Sequence, residues 1–509
     1  MPLWTLTCLY PAICLFPLFL AAIGGTPRLG FWLELSSGAA LVGYAMLLMQ
    51  FLLSGRFRAV TETVGIDLVM RFHQMMGRIA VVFVLAHPLL YAGPALWSSP
   101  ANAPRLLQSL LSSDALRAGV VAWGLSILLV PLAVWRHRLP VSYEMWRLSH
   151  GLGAAAIAAL GFHHLLQVGF NSMHPWLRDL WAALLALACL SLAHVYVITP
   201  ILQLRAPYRV VSKRKVADRK WELTLEPQHG AAIDFVSGQF VWLKLGRNPF
   251  GLSEHPFSIS SAPAQRPRIA FTIKESGDFT AQIGDIRVDT TAYLAGPHGS
   301  FTRERGEAGA IVFVAGGVGL SPIISMLRQL AAERYAHPVS LIYGNRRETQ
   351  ILYRDEIERM KDILDLETHF VLSEPLPGWQ GGVGELTPDV LKTCLGEDNA
   401  GTRYFMCGPA AMMDSVVRSL RDLGIPGKRV VTECFDLAVA KERSQNSMRV
   451  FCKPASQPPL RLPCLSSRFG EGSFRWPGQE RGVWRNRHRP SPDFCGRRRN
   501  TEAQPHARR

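Results

Sequence analysis

The chain has 509 residues, 48% of them apolar and only 18% charged, with a mean hydropathy of +0.12. Water-soluble domains carry about 25% charged residues, so a wholly soluble protein and a wholly disordered one are both excluded. The net charge of +16 is uneven: residues 441–509 carry +11 and the first 440 only +5, so the basic balance does not argue for nucleic acid.

Six long apolar stretches occupy residues 3–25, 31–53, 69–93, 117–135, 146–169 and 176–199. Each is close to the roughly 20 residues that cross a bilayer as a helix. The first lacks a basic n-region and a small-residue cleavage pattern, so it reads as a retained span. The loops after spans two and four carry Arg56, Arg58, Arg136 and Arg138, and Arg205, Arg209, Lys213, Arg214 and Lys215 follow span six. The positive-inside rule then expects both ends in the cytoplasm, in a plasma or bacterial inner membrane.

From about residue 205 the periodicity changes. FVWLKL (240–245) and RIAFTIK (268–274) alternate and are broken by Gly, Pro and Asn, which reads as an antiparallel β-barrel ending near Phe301. AIVFVAGGVGLSPIISMLRQL (310–330) is a strand, a glycine turn and a helix. Strands at VSLIYGN (339–345), THFVLS (368–373) and YFMCGP (404–409) follow, implying an α/β domain with a parallel sheet. The expected domains are 1–200 in the membrane, 205–305 as barrel, 308–438 as α/β domain, and 439–509 as a basic tail. The tail's composition reads as disordered, with contact to anionic lipid headgroups or a reading-frame extension as alternatives.

The nine cysteines form no CxxC pair and lack the spacing of a plant-type iron–sulfur cluster, so any metal is expected on other ligands. Span three holds His73 and His87, and span five holds His150, His163 and His164. Fourteen residues turn a helix to within about 40° of whole turns, so His73 and His87 share a face about 21 Å apart. A lone membrane histidine is more often a helix–helix hydrogen-bonding partner. Two matched pairs on helices running the same way favour bis-histidine ligation of two stacked haems. His164 keeps the phase of His150, whereas His163 is about 140° away on an ideal helix. Arg78 and Arg147 lie near the inner pair, placed either to neutralise haem propionates or to snorkel.

HPFSISS (255–261) ends a barrel strand. A flavin needs an aromatic against its ring, a hydroxyl near its reactive nitrogen and a polar group toward its phosphates; Phe257, Ser258 and His255 offer these beside Pro256. Ile273 and Lys274 end the neighbouring run. GDFT (277–280) adds Gly277, Asp278 and Thr280 at a helix start, suited to pyrophosphate. GPHGSF (296–301) supplies Gly296 and Gly299 for close backbone approach. In AGGVGLSP (315–322), Gly316, Gly317 and Gly319 join a strand to a helix whose N-terminus favours a dinucleotide. Cys407, Gly408 and Pro409 close another strand end, with Cys407 expected near the nicotinamide. Asn345, Arg346 and Arg347 are placed for the ribose or a 2′-phosphate, which leaves NADH and NADPH both open.

Together, the paired histidines, HPFSISS, GPHGSF, GGVGLSP and CGP resemble the ferric reductase and NADPH oxidase superfamily over residues 31–437. The resemblance implies six helices with two b-type haems, an FAD-binding barrel and a ferredoxin-reductase-type nucleotide domain. It implies span-five ligands thirteen residues apart, which selects His163. It also implies that the aromatic of TECFDLA (432–438), Phe435, covers the flavin ring. The expected activity is an NAD(P)H-dependent flavohaem oxidoreductase that passes electrons across the lipid bilayer to ferric iron. The alternatives are a superoxide-producing oxidase, or a flavin reductase without haem that donates to a protein or quinone. No nucleic-acid partner is expected.

Overall fold

The computed structural model describes residues 3–24, 30–168, 174–303, 309–395 and 401–434. Phe435 and the tail from 439 lie outside the described residues.

Among the described residues, six helices are long and apolar enough to cross a membrane. They run Leu3–Ile23, Phe31–Met49, Ile66–Ser98, Asp114–Val134, Tyr143–Val168 and Pro175–Ala193. The sixth continues through a π turn, His194–Ile198, into Thr199–Arg205. Their outward faces carry Phe19, Val82, Leu89, Leu128, Leu152 and Leu190, all exposed. Apolar side chains on the outside are what a lipid solvent selects. Glycines let the helices approach: a Cβ on Gly43 of span two would lie 2.9 Å from Phe83 Cβ of span three. The Tyr44 hydroxyl donates to the Ala158 carbonyl (2.7 Å), and its ring rests on the buried Trp181.

Two departures from the sequence reading appear here. Span three runs on to Ser98, because Pro88 and Pro94 are accommodated inside the helix; membrane helices tolerate proline where neighbouring groups satisfy the freed carbonyls. The following loop also contains a helix, Ala103–Ser112, that the apolar-run criterion passes over.

Six antiparallel strands follow: β1 (Tyr208–Ala217), β2 (Lys220–Pro227), β3 (Phe240–Leu245), β4 (His255–Ser258), β5 (Ile269–Lys274) and β6 (Thr291–His298). They lie in the order β4-β3-β6-β1-β2-β5, and an Ile259–Phe271 bridge curls the two ends together. Val210, Leu223, Leu225, Val241, Leu243, Phe271 and Ile273 fill the interior.

A parallel sheet comes next: β7 (Ile311–Gly316), β8 (Val339–Asn345), β9 (Leu366–Leu372), β10 (Gly382–Val383), β11 (Arg403–Gly408) and β12 (Val430–Cys434). Its order is β10-β9-β8-β7-β11-β12. Helices Leu320–Glu333 and Ala410–Asp422 pack on it, burying two apolar clusters around Phe313 and Val314.

Candidate functional site

The order of the parallel sheet locates its crevice. The chain builds outward from β7 through β8 and β9, then restarts on the other side with β11. The carboxyl ends of β7 and β11 therefore flank a topological switch point, where open α/β sheets bind ligands. Pairing of Cys407 with Ala315 sets Gly408 and Gly316 side by side. A Cβ on Gly408 would lie 3.2 Å from the Gly316 backbone, and one on Gly319 would lie 2.2 Å from the Cys407 carbonyl oxygen. Only glycine allows this approach. The Tyr343 hydroxyl donates to the Gly317 carbonyl (2.8 Å) and holds the turn. The first amides of helix Leu320–Glu333 are thereby presented at the crevice, and Pro409 caps helix Ala410–Asp422 beside it. The Cys407 side chain is fully buried in the core cluster with Phe405 and Leu320, so it is the backbone of that strand end that borders the crevice. Asn345 ends β8; the exposed Arg346 and Arg347 beyond it both pair with Glu374 (3.4 and 3.0 Å).

The barrel motifs meet this crevice through one helix. Ser321 and Ser325, on the helix that starts at the glycine turn, donate to the carbonyls of Ser258 and Ser261 (3.4 and 2.6 Å). One turn on, Arg328 reaches the Ser260 carbonyl (2.8 Å) and both oxygens of Glu356 (2.6 and 2.8 Å). Glu222 of β2 accepts from Arg214 (2.7 Å) and the Tyr353 hydroxyl (2.8 Å), with Arg328 at 3.3 Å. Burial by itself would raise the Glu222 carboxyl, but Arg214 and Arg328 outweigh it and hold it below the ordinary range. Motifs 60 residues apart in sequence are thus fixed together by buried polar contacts, which sequence reading does not detect.

Within the barrel motifs, the His255 ring stacks on Phe279 (4.1 Å between centroids), and Phe257 lies 6.2 Å from the same ring. The Ser258 hydroxyl is buried with no hydrogen-bond partner, an orphan that fits a polar cofactor atom. Thr280 accepts from the amides of Ser276 and Gly277 (2.8 and 2.9 Å) and shapes the turn ahead of Asp278–Ala281. Gly296 and Gly299 have positive φ, and a Cβ on Gly299 would press on Phe240 at 3.1 Å. Ile273 points into the barrel core, whereas Pro256 and Lys274 are exposed.

In the membrane bundle, span three packs chiefly on span two and span five on span four; among the described residues, spans three and five are not close-packed on each other. Across the bundle His73 lies near His150, and His87 near His164. The span-three rings are both tied at Nδ1. The Gln50 amide nitrogen donates to His73 Nδ1 (2.8 Å), and its carbonyl oxygen accepts from the Tyr10 hydroxyl (3.2 Å). His87 Nδ1 lies 2.9 Å from Ser36 Oγ and 3.0 Å from the Ser36 carbonyl oxygen. His150 stacks on Trp146 (5.3 Å), and the Nδ1 atoms of His150 and His164 have no hydrogen-bond partner. His164 fits against Gly119, where a Cβ would come within 2.6 Å of its ring. His163 is exposed. Among the described residues no three His, Cys, Asp or Glu converge as a metal site. Two imidazoles per level fit haem iron, and His87, whose Nδ1 lies against a carbonyl that can receive its proton, is set to bind through Nε2. Sequence reading omitted Gln50 and Ser36, although a polar residue in an apolar span is a signal in itself.

Comparison with known proteins agrees with both halves. Residues 39–161 match the family model for the ferric reductase like transmembrane component, and residues 313–418 that for the oxidoreductase NAD-binding domain. Ferredoxin–NADP reductase B of Sorangium cellulosum is 35% identical over 238 residues, covering 45% of this chain and 96% of that protein. The reductase component of propane 2-monooxygenase from Mycolicibacterium goodii is 31% identical over 42% of this chain and 62% of its own length. Among solved structures, the ferredoxin reductase in carbazole 1,9a-dioxygenase aligns with a TM-score of 0.41 at 24% identity, over 45% of this chain and 69% of that one. The chain is therefore an integral membrane oxidoreductase and belongs to the ferric reductase superfamily.

Proposed function

We propose that this protein takes electrons from cytoplasmic NAD(P)H, through FAD and two b-type haems, to an acceptor on the far side of the membrane, chelated ferric iron above all. When bound, the flavin supplies conversion of a two-electron hydride donor into single electrons, and the haems supply one-electron carriage. The chain's own part is placement. The glycine turn at Gly316–Gly319 receives the dinucleotide, and Ser321 and Ser325 hold that turn against the flavin motif. Ser258 offers its unpartnered hydroxyl to the flavin, with Phe257 and His255 beside it. Phe435 is assigned to the flavin ring by the family pattern alone.

The observation that carries the proposal is the placement of four histidines at two levels of the bundle, His73 near His150 and His87 near His164. His164 is taken as the fourth ligand because it shares the phase of His150 and meets His87; the family spacing would select His163 instead. Reduced-minus-oxidised spectra of membranes holding the protein are expected to show b-type haem bands. Those bands weaken in His73→Ala, His87→Ala and His164→Ala and persist in His163→Ala. A wild-type spectrum without haem bands overturns the proposal, and loss of haem in His163→Ala but not His164→Ala moves the fourth ligand to His163.

A further inference from the structure

Between the bundle and the barrel lies a buried ionic cluster, centred on a carboxylate that neither the motifs nor the proposed electron path uses. Glu254, the residue before HPFSISS, is only 5% exposed. Its carboxylate lies 2.6 Å from Arg56, in the segment after span two, and 3.8 Å from Arg147, one turn before His150. Lys244 of β3 stands 4.0 Å away on the barrel side and donates to the Pro249 carbonyl. Arg147 also donates to the Leu252 carbonyl (2.8 Å), two residues before Glu254 in the chain. The Arg56 guanidinium lies over the Trp242 ring of β3, 3.5 Å from its centroid. An apolar patch continues the contact, with Ile66 of span three against Phe240 and Trp242.

Three cations around a single carboxylate repel one another once that charge is gone. Breaking a buried pair from one side leaves uncompensated charge, which costs more than the pair itself contributes. Burial alone would raise the Glu254 carboxyl, yet Arg56, Lys244 and Arg147 together keep it below the usual range, so it stays ionised. Glu254 has no place in the nucleotide crevice. It acts on β4 through the chain, and on the inner histidine level through Arg147.

We infer that Glu254 is a positioning residue that seats the flavin barrel on the membrane bundle by neutralising Arg56, Arg147 and Lys244 at their junction. Its effect on electron delivery rests on the proposed function, whereas its effect on docking does not. The test uses the full-length protein in detergent or nanodiscs, as Glu254→Gln and, from the membrane side, Arg56→Gln.

Amide hydrogen exchange of peptides covering 250–258 and 56–66 is expected to quicken about tenfold or more in each variant. The double variant should be little worse than either single one, since both break the same pair. NAD(P)H-driven reduction of ferricyanide, which draws electrons at the flavin, should stay within about twofold of wild type. NAD(P)H-driven haem reduction should fall by about ten- to a hundredfold, the size of loss that an ångström of misplacement produces. Unchanged exchange overturns the inference. So does a parallel loss of ferricyanide reduction, which would put Glu254 inside the reductase site. If the wild type carries no haem, the proposed electron path fails while the exchange measurement still decides the docking role. Should Glu254→Gln not fold, Arg56→Gln carries the same comparison.

Discussion

At the scale of single residues, the site is built by what has been left out. Gly319 has no room for a methyl group, because the Cys407 carbonyl oxygen occupies the place a Cβ would take, 2.2 Å away. Gly319→Ala must push β11 and the glycine turn apart, at about 1–3 kcal/mol, the cost of overpacking a tight site. We expect a lower melting temperature and a raised KM for NAD(P)H, measured on purified protein with ferricyanide as acceptor. A variant with wild-type KM would show that the close approach is structural only. The opposite logic holds at Ser258, whose hydroxyl is placed and unpaired. An unpaired buried hydroxyl costs stability unless a ligand completes it.

At the scale of elements, contacts between strands and turns carry the pH response. Lys220 opens β2, is nearly fully buried, and donates to the Gln350 carbonyl in the nucleotide domain (2.9 Å). Burial, helped by Lys274 and opposed by Asp218, pushes its ammonium down to about 8. The unfolded chain holds that proton up to about pH 10.4. Between these values the unfolded state binds more protons, so this group's contribution to stability rises with pH from about 8 upward; below about 8 its full cost is present. Melting curves of wild type and Lys220→Met across this range should show the wild type gaining on the variant as pH rises. Parallel curves would mean that the lysine titrates normally.

The same scale shows how far the sequence could be read. The strands expected at 240–245 and 339–345 coincide with β3 and β8, because alternation and β-branched runs are local properties. The glycine turn, and the helix after it, were legible for the same reason. Span three was read short, since prolines that end a helix in water do not end one in a bundle. Glu254 was illegible: its partner Arg56 is 198 residues away, and no local pattern marks such a pair. Gln50 and Ser36 stood in plain view in span two, but their meaning depends on which histidine each one faces.

At the scale of the whole molecule, the two halves are joined by chain as well as by charge. Span six passes through the π turn into Thr199–Arg205, and β1 starts at Tyr208, with only Ala206 and Pro207 between them. A connection that short has no slack, because a flexible linker gains reach only with length. The barrel therefore inherits its bearing from the last turn of a membrane helix, and any twist of that helix is a torque on the flavin domain. In a bilayer the protein should rotate as a single body about the membrane normal. Time-resolved anisotropy of a probe on the nucleotide domain should report that slow rotation alone, and a Gly-Ser insertion after Ala206 should add a fast component. A fast component already present in the wild type would show the reductase half swinging freely on its stalk.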